Sequence, residues 1–343
     1  MRLVFLGMKT KSCNFAHLSD IQKNTYMGIF SSIFGGGNKS PENQYDILCD
    51  DGVRAMQMGE FQYAEKCLTA ALELKHELRT VGLLAEVYLH TENNEKALPL
   101  LQEMVKNAEG DSLEICLLLA QTQGKTQAYA DERATCEHIL QQHEAEPRAL
   151  YLLAEAEHGL HEDFMAIAHL TQCLAKEPKY QYALLLRADV LKQMGQWNEV
   201  LVDAETLVDI DAENESYHLL RAEAFAALGK TDEAVVDLKA VQALNPFSRE
   251  AVLKLGSLYE QTAQWDKALA VYDEAINMQP EFAAAYKARG GVKNHLKDVA
   301  GAAEDLKRSL ELEPELAKVV DGEYANVENE MKERYKRMNP YGF

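Results

Sequence analysis

Residues 246–280 read PFSREAVLKLGSLYEQTAQWDKALAVYDEAINMQP, and residues 280–314 read PEFAAAYKARGGVKNHLKDVAGAAEDLKRSLELEP. The two stretches share one frame. Pro246, Pro280 and Pro314 are 34 residues apart, and Pro178 lies two such periods before Pro246. Between the first pair of prolines stand Leu255-Gly256, Tyr259, Ala268 and Ala275; between the second pair stand Gly290, Ala302 and Ser309. A fixed period of this length marks a repeat array, in which each unit buries its apolar face against the next.

Carried backwards, the frame divides residues 45–316 into eight units that begin at Tyr45, Leu78, Leu113, Pro147, Gln181, Glu215, Arg249 and Ala283. The eighth position reads Gly52, Ala85, Ala120, Ala154, Ala188, Ala222, Gly256 and Gly290. The twentieth reads Ala64, Ala97, Glu132, Ala166, Val200, Ala234, Ala268 and Ala302. Helices approach closely only where side chains are small, so these positions predict the crossing of a first helix, A, with a second, B. Glu132 breaks the pattern in the third unit. Met58-Gly59-Glu60 and Met194-Gly195-Gln196 read as turns in which glycine ends helix A. Proline near the end of a unit stops helix B.

The period, the small-residue positions, Tyr88 and Tyr259 in helix A, and segments such as Ala71-Leu72-Glu73-Leu74 resemble the tetratricopeptide-repeat family. That resemblance covers about four-fifths of the chain and implies an all-α fold, a right-handed superhelical solenoid of helix-turn-helix repeats with a concave groove. Within it, the fifth and ninth positions of helix A are implied to look into the groove, one turn apart on one face. The fifth positions are Leu117, Tyr151, Leu185, Leu219 and Leu253, and the ninth are Glu86, Gln121, Glu155, Asp189 and Glu223. Together they make an apolar track beside an acidic one. Its complement is a protein or peptide segment with apolar anchors and Lys or Arg neighbours. The same leucines also serve to pack adjacent helices. The family's clamp for chaperone carboxyl tails needs Lys, Asn and Arg at such places, and that set is missing here.

Comparison among units gives a second expectation. The seventh position is Arg187, Arg221 and Arg289 in three units, whose twenty-third positions are Asp203, Asp237 and Asp305. Where the seventh is Leu153 or Leu255, the twenty-third is His169 or Val271. The pattern predicts Arg–Asp ion pairs inside hairpins, with apolar contact in the seventh unit. Trp197, Trp265 and Phe61 share one repeat position, which favours a packing role over an interface role.

The net charge is −20, of which residues 45–316 carry −23 and residues 1–44 carry +3. So acidic a chain repels phosphates, which argues against nucleic acid as a partner. No apolar run is long enough to span a membrane. Six scattered cysteines without a CxxC pair predict reduced thiols and a cytoplasmic chain. Gly35-Gly36-Gly37 reads as a linker, so residues 1–44 are expected to be a flexible extension. Met27-Gly28-Ile29-Phe30-Ser31-Ser32-Ile33-Phe34 offers an alternative: a docking or lipid-touching element, with a myristoylation start only if translation begins at Met27. Residues 317–343 carry Val320, Tyr324, Val327, Met331, Tyr335 and Met338 on one stripe, which predicts a capping helix.

No chemistry emerges. Gly124-Lys125-Thr126 and Gly229-Lys230-Thr231 lack the glycine five residues earlier and the strand that a phosphate loop needs. His158, His161 and Glu162 have ligand-like spacing but no fourth ligand nearby in sequence. The expectation is a non-enzymatic scaffold or adaptor without cofactor or metal.

Overall fold

The computed structural model describes residues 44–108 and 112–314. The expected extension and the expected capping helix lie outside these residues.

Each of the eight windows supplies two helices. They are α1 (Gln44–Gln57), α2 (Phe61–Leu74), α3 (Leu78–His90), α4 (Asn94–Asn107), α5 (Leu113–Lys125), α6 (Tyr129–Gln142), α7 (Pro147–Gly159) and α8 (Asp163–Lys176). They continue as α9 (Gln181–Gln193), α10 (Trp197–Ile210), α11 (Glu215–Ala227), α12 (Thr231–Leu244), α13 (Arg249–Gln261), α14 (Trp265–Met278), α15 (Ala283–His295) and α16 (Val299–Leu312). Odd-numbered helices are therefore A and even-numbered ones B. No strand occurs among the described residues. The fold is an all-α repeat solenoid. The described residues divide into two compact units on either side of Gly195 and Gln196, so α1 to α9 lie in the first and α10 to α16 in the second.

Within each unit the packing follows the repeat. Every helix touches the next in sequence, and α5, α7 and α13 also touch the next helix A. The small positions lie at the crossings: Ala64, Ala97, Ala166, Ala234 and Ala268 are fully buried, as are Ala85, Ala120, Ala154 and Ala188. At Gly256 the reason for glycine is visible. A Cβ there would stand 2.2 Å from Cζ of Tyr272, the ring that fills this crossing. The Tyr272 hydroxyl then donates to Glu260 at 2.7 Å.

The turn between A and B repeats more faithfully than its sequence. Its fifteenth-position residue has positive φ in all eight windows: Gly59, Glu92, Gln127, His161, Gly195, Gly229, Ala263 and Lys297. The following amide reaches five residues back, as in Asn93 N to Tyr88 O at 2.8 Å and Gln264 N to Tyr259 O at 2.8 Å. This is the Schellman closure of a helix end, which favours glycine at the left-handed residue. Only three of the eight carry it.

The same turn places the histidines. His161 is exposed and holds the left-handed position, while His158 Nδ1 pairs with Asp163 at 2.7 Å and Glu162 pairs with Arg133. No group of three metal-ligating side chains occurs among the described residues. Gly124-Lys125 ends α5, and Thr231 begins α12, so neither GKT forms a strand-to-helix phosphate loop. No described helix is long and apolar enough to cross a membrane. Cys49, Cys67, Cys116, Cys136 and Cys173 are buried free thiols.

The expected ion pairs form inside hairpins of the second unit. Arg221 Nη2 lies 2.7 Å from Asp237 Oδ1, and Arg289 Nη2 lies 2.6 Å from Asp305 Oδ1. Leu255 and Val271 share one apolar cluster. Of the third pair, Arg187 is in the first unit and Asp203 in the second. Two of the three arginines also reach the preceding repeat. Arg289 also donates to Asp273 of the preceding repeat at 2.7 Å, and Arg187 to Thr171 of the preceding repeat at 3.2 Å.

The aromatic position also reaches further than expected. Phe61 stacks on His90 with centroids 5.2 Å apart, and Trp265 stacks on His295 at 3.7 Å. Both histidines belong to the next repeat. Tyr129 lies over Gly159 in the same relation. These rings join consecutive repeats rather than closing their own turn.

Candidate functional site

The fifth and ninth positions lie one helical turn apart on the helices A, as their spacing requires. The structure does not expose them equally. Leu117 is 6% exposed and Glu86 3% exposed. Both sit beneath the surface, so they back their neighbours instead of meeting a ligand. Burial raises the Glu86 carboxyl to about 7. Gln121 on α5 is half-buried.

On α7 and α9 the two positions are open. Tyr151 and Leu185 are half-buried, Glu155 is half-buried beside Tyr151, and Asp189 is exposed. Asp189 accepts from Gln193 Nε2 at 3.0 Å. In the second unit Leu219 and Leu253 are half-buried and pack against the cluster of Ala222, Val252, Leu255 and Tyr259. Glu223 faces Lys254 at 3.6 Å. The acidic row is therefore interrupted, and one of its members is answered by the chain's own lysine.

Around Tyr151 the structure assembles residues that the repeat frame alone did not single out. Tyr180 precedes α9 and Tyr182 lies in its first turn. Their rings stand 5.7 Å and 6.1 Å from that of Tyr151, the first edge-on. The Tyr180 and Tyr182 rings are 5.9 Å apart. Burial raises all three phenols, and at Tyr151 the Glu155 charge adds to it.

Glu132 on α6 completes the group. It takes the twentieth position, where the other units hold alanine or, once, valine, and it is fully buried. Room comes from Gly124 on α5, where a Cβ would meet Glu132 Oε1 at 2.7 Å. Neither carboxyl oxygen has a hydrogen-bond partner among the described residues. Burial, then the charge of Glu155, raises this carboxyl to about 9. Glu155 is raised by burial too, against the opposing effects of the Tyr151 hydroxyl and Lys125. The sequence signal for Glu132 was its break in the small-residue column. Tyr180 and Tyr182 carried none beyond composition.

Comparison with known proteins places this architecture. The tetratricopeptide-repeat family model matches residues 219–276 and again 253–317. Residues 219–317 are tetratricopeptide repeats. The chain is 32% identical over 119 residues to the tetratricopeptide repeat and J domain-containing co-chaperone DNJ1 of Fusarium oxysporum f. sp. lycopersici, a match covering 34% of the chain and 22% of that protein. It is 34% identical over 105 residues to the UPF0162 protein of Xylella fastidiosa, covering 29% of the chain and 37% of the relative. The chain thus spans well under half the length of these curated relatives. Among solved structures, that of the type IV pilus biogenesis factor PilW matches with a TM-score of 0.50 and 19% identity, over 62% of the chain and 97% of PilW. That likeness concerns the fold alone.

Proposed function

We propose that the chain is a non-enzymatic interaction scaffold that holds a peptide segment against the helix-A faces of its repeats. The observation that carries this reading is the face formed by Tyr151 and Glu155 on α7 and Leu185 and Asp189 on α9. There, partly open apolar side chains stand directly beside carboxylates. The second unit presents its own version through Leu219, Leu253 and Glu223. Apolar anchors set affinity, and the acidic neighbours select partners with Lys or Arg next to those anchors. The absence of the Lys, Asn and Arg clamp argues against a carboxyl-terminal chaperone tail as ligand.

The test is capture of proteins from native lysate on immobilised full chain, compared with Leu185→Asp and with Leu219→Asp/Leu253→Asp. Loss of the captured set in either variant, with the helical circular dichroism spectrum retained, supports the helix-A faces. An undiminished set with both variants moves the binding surface elsewhere.

A further inference from the structure

The repeat supplies its own control for what Glu155 lacks. In the sixth repeat the ninth-position carboxylate, Glu223, faces Lys254, the sixth-position residue of the next helix A, at 3.6 Å. At the corresponding place opposite Glu155 stands Leu186. Elsewhere in the first unit Glu114 of α5 is likewise met by Arg148 of α7, at 2.9 Å. Glu155 has no cation within ion-pair distance among the described residues; Lys125 acts on it only from further away. Behind it lies Glu132, fully buried, with both carboxyl oxygens unpartnered among the described residues. A half-buried carboxylate with no cation of its own, as Glu155 is, gains from one delivered to it.

The wall beside Glu155 has matching chemistry. Tyr151, Tyr180 and Tyr182 pack edge-on or tilted against one another, and each ring remains half-buried. Aromatic faces attract guanidinium and ammonium groups, and more strongly when water is excluded. The aliphatic stem of a long basic side chain also covers aromatic surface while its charged head reaches a carboxylate.

We propose that Glu155, walled by Tyr151, Tyr180 and Tyr182, forms a subsite for one arginine or lysine side chain of the bound peptide. The proposal rests on the peptide-binding reading above and gives it a specific anchor. Glu155 makes the direct contact. Glu132, which burial keeps protonated near neutral pH, lies beneath as a neutral neighbour that the ligand does not touch.

The experiment uses the full chain and the blocked peptides Ac-Ala-Leu-X-Leu-Ala-NH2 with X as Arg, Lys, norleucine or Glu, titrated by calorimetry. Arg and Lys are expected to bind on the order of tenfold more tightly than norleucine, and Glu more weakly still. Glu155→Gln is expected to erase the preference for Arg over norleucine without weakening norleucine. Glu132→Gln exchanges one neutral group for another near pH 7 and should leave the preference within about twofold of wild type. Leu186→Lys, which installs the internal cation that Lys254 supplies to Glu223, should also erase the preference. Equal affinity for Arg and norleucine, or no binding by any of the four, overturns the subsite. A preference for Arg that survives Glu155→Gln does the same. Failure of the groove itself reads differently: lysate capture then remains undiminished in the Leu185→Asp and Leu219→Asp/Leu253→Asp variants.

Discussion

Arg221 grips Asp237 with two parallel hydrogen bonds, Nε to Oδ2 at 2.8 Å and Nη2 to Oδ1 at 2.7 Å. The aspartate is 2% exposed, and His218 Nδ1 lies a further 2.9 Å from Oδ1. A bidentate fork with one buried partner lies between the exposed and buried regimes of ion pairing. Arg221→Ala should lower the unfolding free energy by roughly 1–3 kcal/mol, less than a fully buried pair loses, because His218 still faces the carboxylate. Arg221→Lys should recover only part of it, since an ammonium cannot reproduce the fork. Urea unfolding of the three proteins checks the order. Equal stability of all three refutes it.

Glu132 sets the direction of a pH effect. Its native value, about 9, stands above the ordinary carboxylate value of 4.5. The native state therefore holds this proton more tightly than the unfolded chain does. The contribution is most favourable below the unfolded value and is lost as pH rises towards 9, at up to roughly 1.4 kcal/mol per unit. Glu86, raised to about 7 by burial, adds a loss of the same sign that ends near its own value. Unfolding at pH 5, 7 and 8.5 should show falling stability in the wild type. Glu132→Gln should be flatter, most clearly between pH 7 and 8.5, where Glu86 is completing its titration and contributes progressively less. A variant that keeps the full wild-type slope there would rule out Glu132 as its source.

The fold was legible because the repeat is written eight times. Small residues at the crossings recur in a column, so one ambiguous position is corrected by seven others. The Arg–Asp hairpin pairs were legible for the same reason: two columns changed together. What no column records is contact between repeats. Arg289 to Asp273, and Trp265 on His295, join residues of different units whose partner identity varies along the array. The candidate site was legible as two positions only. Burial of Leu117 and Glu86 was not, because it depends on how closely neighbouring helices A stand. Glu132 was visible as an exception, but its consequence depended on Gly124 making room for its carboxyl.

The left-handed turn residue offers a stabilising substitution. Ala263 has φ of 55° and Lys297 of 66°, at the position where three other repeats use glycine. A side chain there costs about 1–2 kcal/mol by steric conflict, offset in part by glycine's greater freedom in the unfolded chain. Ala263→Gly and Lys297→Gly should each stabilise the second unit by about 0.5–1 kcal/mol. The reverse change, Gly229→Ala, should destabilise it by a similar amount. Thermal unfolding distinguishes the signs. Stabilisation by Gly229→Ala would show that the turn tolerates a Cβ and that glycine there has another purpose.

The stack of Trp265 on His295, with centroids 3.7 Å apart and planes 25° from parallel, measures how strongly one repeat holds the next. Trp265 opens α14 and His295 closes α15, so the contact couples the start of helix B in one repeat to the end of helix A in the next. Solenoid stability is a sum of weak units and the interfaces between them, so losing an interface costs more than its own area. Trp265→Ala should destabilise by roughly 2–4 kcal/mol, somewhat less than a fully buried aromatic, because the ring stays half-buried. His295→Ala should cost less, about 0.5–1 kcal/mol, since the imidazole is exposed on its other face. A double-mutant cycle isolates the stack from ordinary burial. The pair should couple by about 0.5–1.5 kcal/mol, the range for packed aromatic rings. His295→Phe should keep or strengthen the coupling, because the stack needs a flat ring and not a charge. Strict additivity of Trp265→Ala and His295→Ala would mean that the rings only lie near each other, and that the junction between these repeats is held by Phe282 and its apolar neighbours instead.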